Sequence, residues 1–308
     1  MCKMSQSQWQ PNVMVPTYYV APRIRKGYFS TLNDAISFAE PYSRIEILSG
    51  KYFENVVIQK PIEIGVEKGD EAAEFYSHGV TFTLQDDAYI DGISIRTGDQ
   101  KMAMLIENEK PIKPKVMRCE IDSIEVSGFA NPHIVDNRIR NGRVHGVHVT
   151  GHASGNFTDN VIENHAWYSV SVESDGQPTF TRNKVQGGER GQIMIKGYGS
   201  LAGIAPTFSQ NRITDELPKN HQKTAVSTRL DDAPVKRAGD RVDLIPNASA
   251  SGLAGRAVMR EIEDQQQKEE AVEWDPRSAV EVALGATPII TNNTIIGSIN
   301  NGILYRSG

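Results

Sequence analysis

ANPHIVDNRIRNGRVHGVHVTGH (130–152), ASGNFTDNVIENHAWYSVSVESD (153–175), GQPTFTRNKVQGGERGQIMIKGY (176–198) and IAPTFSQNRIT (204–214) are four versions of one sentence. Their anchors Asn137, Asn160, Asn183 and Asn211 are spaced by 23, 23 and 28 residues. A fixed period in this range marks a solenoid, whose units stack because none can bury its apolar side alone. The columns agree. Three residues before each asparagine stand Ile134, Phe157, Phe180 and Phe208; two after it stand Ile139, Ile162, Val185 and Ile213. Further on come the pairs Val147/Val149, Val170/Val172 and Ile193/Ile195. Each unit therefore holds three short apolar segments at period two, separated by turn residues, and these read as strands.

Three strands per 23-residue unit describe an all-β fold, a parallel β-helix whose coils lie ~4.8 Å apart. Parallel strands otherwise need a crossover helix; a solenoid returns round its other two sides instead. The asparagine column is expected to sit at a coil corner in the left-handed region and to ladder from coil to coil. The template recurs at Pro288, Ile290, Asn293 and Ile295, then Ile303 and Tyr305. Asn293 follows Asn211 by 82 residues, one 23-residue step with 59 added. A charged insertion within 214–279 thus opens one coil, which resumes in register. Within it, 252–273 reads as a helix with Leu253, Ala257, Val258 and Ile262 on one side.

Working toward the N-terminus, STLNDAISFAE (30–40) reads as a short helix capped by Ser30 or Thr31, with Pro41 just beyond. Laid over the open end of the solenoid, it would cover unpaired strand edges. RIEILSGKYFENVVIQKPIEIGV (44–66) follows in strand-like alternation. These two stretches resemble the opening coil of pectin-lyase-like right-handed β-helix proteins, a group that includes pectin methylesterases, NosD-type periplasmic proteins and F-box-linked β-helix proteins. The resemblance covers about residues 29–213 and 278–308. It implies a single right-handed solenoid over 29–308, interrupted by 214–279, with 1–28 as an N-terminal extension in which 15–21 forms a strand. It also brings carbohydrate-active enzymes into view, but their signatures are missing. The esterase motif G-x-V-D-F-I-F-G is absent. Asp86–Asp87 lies too early for a polygalacturonase pair, and Asp231–Asp232 falls in the insertion. No column of aspartates repeats from coil to coil to hold a lyase calcium.

Adding one coil finds the polar neighbours. His152 falls beside Asp175, about 5 Å away. His145 falls beside Tyr168, and His148 beside Ser171 and then Met194; Glu173 lies between Thr150 and Lys196. Trp167 and Arg190 complete the strip. Read as chemistry, His152, Asp175, His145 and Glu173 are candidate acid–base groups, with Trp167, Tyr168, His148, Arg190 and Lys196 as binding residues. Read as surface, the strip is a solvated face. His145, His148, His152 and His165 fall within 21 residues, yet three of them spread over up to ~23 Å of one strand. That spacing makes no tetrahedral site, so neither a metal nor a cofactor is expected. The basic column Arg138, Lys184 and Arg212 is broken by Val161 and flanked by Asp136 and Asp159, a poor track for phosphates.

The 308-residue chain carries a net charge of −5, with no overall basic field to draw nucleic acid or anionic lipid. Two cysteines, Cys2 and Cys119, suit a reducing compartment. Cys119 stands in the asparagine column as a small apolar corner residue. No apolar run is long enough to span a membrane, and MCKMSQSQWQPNVMVP (1–16) lacks a signal-peptide layout. These features lead to an expected cytoplasmic, cytoskeleton-associated reading without catalysis: a scaffold gripping protein partners through the β-helix surface, the insertion and the open last coil. The alternative is a carbohydrate-active lyase, hydrolase or esterase, or a polysaccharide binder, with its cleft along 145–196.

Overall fold

Three apolar segments in every 23 residues are buried most simply by stacking coil on coil. The computed structural model describes residues 15–67, 73–98, 102–197, 205–214, 278–283, 286–297 and 302–306. Among these, the strands form three parallel sheets of ten, nine and nine strands, each coil giving one strand to each sheet. The first sheet aligns Ile134, Phe157, Phe180, Phe208 and Ile290. The second aligns Ile139, Ile162, Val185, Ile213 and Ile295. The third aligns Val147, Val170, Ile193, Val280 and Ile303. The pairing of Ile193 with Val280 confirms that the coil resumes in register after the interruption. Residues 215–277, including the helix expected at 252–273, lie outside the described residues.

The inward side chains of the three sheets meet in a continuous core. Phe157, Phe180 and Phe208 are at most 2% exposed. Their rings stack 4.5 and 4.7 Å apart and within 8° of parallel, so each aromatic face is covered by the next coil.

The N-terminal end is closed as the sequence suggests, with one change of boundary. Strand Thr17–Val20 pairs with Arg44–Ile47, which makes 17–20 part of the first sheet. The helix runs Leu32–Phe38, with Thr31 as its cap: its hydroxyl accepts from the Asp34 amide at 3.1 Å. Leu32, Ala35 and Ile36 are buried against the first coil. That coil also grips both helix ends. The Glu54 carboxylate accepts from the Leu32 and Asn33 amides at 2.9 and 3.0 Å, and Lys60 Nζ donates to the Ala39 carbonyl at 2.6 Å. An anion at the N-terminus and a cation at the C-terminus both favour the helix dipole. No helix among the described residues is long and apolar enough to cross a membrane.

The asparagine ladder forms, but the corner does not turn where the sequence suggested. The left-handed residues are Arg118, Asp136, Asp159, Arg182, Gln210 and Asn292, with φ between 51° and 58°. Each stands one position before the ladder column. The chain turns there, which frees the asparagine itself to aim its amide between coils. Asn160 Oδ1 accepts from both the amide and Nδ2 of Asn137, at 3.0 and 3.1 Å. Asn183, Asn211 and Asn293 repeat this on the coils above. Asn137, Asn160, Asn183 and Asn211 are at most 3% exposed, so the ladder satisfies buried amides that water cannot reach. A second left-handed corner joins the second and third sheets at Asn141, Asn164 and Gly187, with φ of 66°, 63° and 73°.

Cys119 ends the ladder. Its amide donates to Asn137 Oδ1 at 2.9 Å, while its Sγ lies 4.0 Å from the Ile90 carbonyl. Burial pushes the thiol up to about 12, so it stays protonated and unreactive. Asn137 reaches the Val116 carbonyl from the equivalent place on the next coil, at 3.0 Å. Cys119→Asn should therefore add a rung and stabilise the chain by about 1 kcal/mol. A raised urea midpoint would bear this out; a lowered one would show that the corner has no room for the amide.

Candidate functional site

Alternation along Val147–Gly151 sends Val147 and Val149 inward and His148 and Thr150 outward. Register then gathers Glu125, His148, Ser171, Met194 and Glu281 into one outward column of the third sheet. His148 lies between two carboxylates: Nδ1 is 3.5 Å from Glu125 Oε2, and Nε2 is 3.9 Å from Glu173 Oε1. The His145 ring packs 5.2 Å from His148, 5.5 Å from Trp167 and 6.1 Å from Tyr168. Burial, then the neighbouring His148, push His145 down to about 3. Arg190 stacks 4.1 Å over Trp167, and Tyr168 Oη donates to the buried Glu281 carboxylate at 2.9 Å. Glu173 accepts from Ser171 Oγ at 3.4 Å, leaving Lys196 a coil beyond.

His152 and Asp175 form a separate pair. The imidazole Nδ1 lies 2.7 and 2.8 Å from the two Asp175 oxygens, so it carries the proton and both oxygens accept. The Phe129 ring stacks 4.8 Å from His152. His152 is four residues along from His148, about 13 Å on an extended strand. The expected neighbours do meet, but as two clusters rather than one. Among the described residues no three of His, Cys, Asp and Glu converge as metal ligands. In the basic column, Arg138 is bonded to Glu163, its Nε 2.8 Å from the carboxylate.

His165 belongs to neither cluster. It is 1% exposed and ties the second corner together. Its Nδ1 accepts from the Gly142 amide at 3.0 Å, so Nε2 donates to the Ile139 carbonyl at 3.2 Å. Gly146 leaves the ring its space: a Cβ there would lie 2.4 Å from Nε2. Burial lowers His165 from 6.5 to about 4. Such a histidine gains its proton on unfolding. Its contribution is complete above pH 6.5 and fades as pH falls toward 4, by on the order of 3 kcal/mol. His165→Gln should flatten the stability–pH curve in that window. An unchanged slope in His165→Gln would rule out this proton uptake.

Beside the His152 pair lies a cleft of about 610 Å³ that the sequence did not reveal. Gln59, Gln85 and Glu107 form its polar ladder: Gln59 Nε2 donates to Gln85 at 2.8 Å, and Gln85 Nε2 donates to Glu107 at 3.4 Å. Asn108, Lys110 and Phe129 also line it, and Phe129 is 46% exposed. Glu125 was missed as well, although its column could be found by closing the five-residue gap before Asn137.

A family model described as a right-handed β-helix region matches residues 51–185 and 91–218, which together cover more than half of the chain. The chain belongs to the right-handed β-helix family. The expected likeness to pectin-lyase-like solenoids thus holds for the fold. Comparison with curated proteins and with solved structures gave no match. Within this β-helix, the third sheet's outer face carries both clusters and the cleft.

Proposed function

We propose that this β-helix is a non-catalytic scaffold that works in the cytoplasm as part of a larger assembly. One observation carries the reading: its polar candidates fall into two clusters about 13 Å apart along one sheet, and the exposed histidine, His152, is already bonded to Asp175. His148 is flanked by Glu125 and Glu173. Acid–base catalysis needs such groups to converge within hydrogen-bond reach of one reacting atom. A stacked solenoid instead offers a long surface for a partner. The insertion, leaving after Thr214 and rejoining the third sheet at Val280, is the proposed binding arm, with the last coil as a second contact. The purified chain should release no product from a panel of pectins and other polysaccharides. Cross-linking in cells should capture defined partners that are lost on deleting 215–277. Turnover abolished by Glu173→Gln would overturn the reading.

A second reading, a glycan-binding face, is supported by the cleft, where the half-exposed Phe129 ring stands beside the Gln59–Gln85–Glu107 ladder. An aromatic wall with a few polar groups is the usual make-up of a small-ligand site. Oligosaccharide titration favours this reading if binding is lost in Phe129→Ala; heat that is the same in both proteins counts against it.

A further inference from the structure

The N-terminal end carries a loop that contributes little to the core. It leaves the first sheet after Ala21 and returns at Phe29, with a firmly tied base. The Ala21 amide donates to the Phe29 carbonyl at 3.0 Å, and the Phe29 amide to the Tyr19 carbonyl at 2.8 Å. Tyr28 N donates to Arg25 O at 3.1 Å, closing a turn whose Gly27 has a φ of +83°. Pro22 packs so closely on the first coil that a Cβ at Gly50 would lie 2.6 Å from its ring.

On this fixed base the tip is Ile24, 99% exposed. Arg23 and Arg25 flank it and Lys26 follows, all exposed. Arg25 is oriented by the Tyr28 ring, 4.3 Å below its guanidinium. At the base, Phe29 packs 5.5 Å from Phe38, itself 67% exposed. A lone exposed apolar side chain is ordinary on a protein surface. A projecting isoleucine enclosed by three cations, with a second exposed apolar ring at its base, is a more specific arrangement.

We infer that this loop docks the N-terminal end of the solenoid on an anionic lipid surface. Ile24 enters the boundary between headgroups and acyl chains, while Arg23, Arg25 and Lys26 meet the lipid phosphates and carboxylates. Interfacial anchors combine these two elements, apolar insertion and cationic attraction. The tip is convex, and a lipid interface needs no matching cavity, whereas a protein partner would have to supply one. The chain's net charge of −5 argued against lipid in the sequence. That average is screened beyond about 8 Å at physiological salt, so the charges at the point of contact decide. This inference concerns a different surface from the proposed scaffold contacts and does not depend on them.

The test is sedimentation of the full chain with phosphatidylcholine vesicles, with and without added phosphatidylserine, at low and physiological salt. Binding should require phosphatidylserine and weaken with salt. Ile24→Asp should reduce the apparent affinity about tenfold or more, the scale of a buried isoleucine. The combined Arg23→Glu, Arg25→Glu and Lys26→Glu variant should abolish binding, with an unchanged far-UV spectrum showing that the fold is kept. Failure of the unaltered chain to bind these vesicles overturns the inference and leaves an acidic protein pocket as the remaining reader of the loop. Binding that survives Ile24→Asp undiminished also overturns it, since charge alone would then hold the protein.

Discussion

Phe180→Ala is expected to destabilise the solenoid by about 3–5 kcal/mol, the range for emptying a buried phenylalanine site. Phe180 is 1% exposed and lies between Phe157 and Phe208 at 4.5 and 4.7 Å. Its loss uncovers a face of each neighbour. The strands that carry these rings are held about 4.8 Å apart by backbone hydrogen bonds, so the cavity cannot close by bringing coils together. Phe180→Leu, which refills much of the space, should recover over half of the loss. Urea unfolding of the two variants checks both values. A cost below about 1 kcal/mol for the alanine variant would mean that the coil relaxes inward, contrary to the rigid stack.

Asn183→Ala should cost about 3 kcal/mol through polar groups rather than volume. Asn183 Oδ1 accepts from the Asn160 amide at 2.9 Å and from Asn160 Nδ2 at 3.0 Å, and its own Nδ2 donates to the Phe157 carbonyl at 2.9 Å. All of these lie out of water, where each deserted donor costs ~1–3 kcal/mol. Asn183→Asp separates hydrogen bonding from shape. It keeps the acceptor but places a carboxyl where burial raises its pKa above the unfolded value. Stability of that variant is therefore lost as pH rises through the unfolded value near 4 toward the folded one. Asn183→Asp should lie closer to the unaltered protein at pH 4 than at pH 7. Equal deficits at the two pH values would refute the buried-charge explanation.

The parts of this fold that could be read from the chain are those where one physical need recurs at a constant interval. Phe157, Phe180 and Phe208 repeat because each coil must cover the last, and the asparagine column repeats because each corner leaves amides to satisfy. The left-handed residue was placed one position late because Asp136, Asp159, Arg182 and Gln210 have no common side chain. At that corner the backbone is constrained and the chemistry is not, so no column appears. The Gln59–Gln85–Glu107 ladder was hidden for another reason. The early coils depart from the 23-residue interval, and a column cannot be counted without its period. His152 and Asp175 were brought together correctly by the register. Their separation from His145 and His148 followed from strand length, but the sharing of His148 between Glu125 and Glu173 required knowing which side chains turn toward one another.

Asn211 bonds to Asn293 at 2.8 and 2.9 Å across an interval of 82 residues, with the same geometry as rungs 23 apart. Alignment of the coils is thus held by the ladder and sheets, not by the distance along the chain. Closing a loop costs only about 0.6 kcal/mol more for each doubling of its length. The junction after Thr214 is therefore a splice point. A foreign domain with close termini could replace 215–277, or the backbone could be cut there and the two fragments expressed separately, and the asparagines would still direct the last coils to their place.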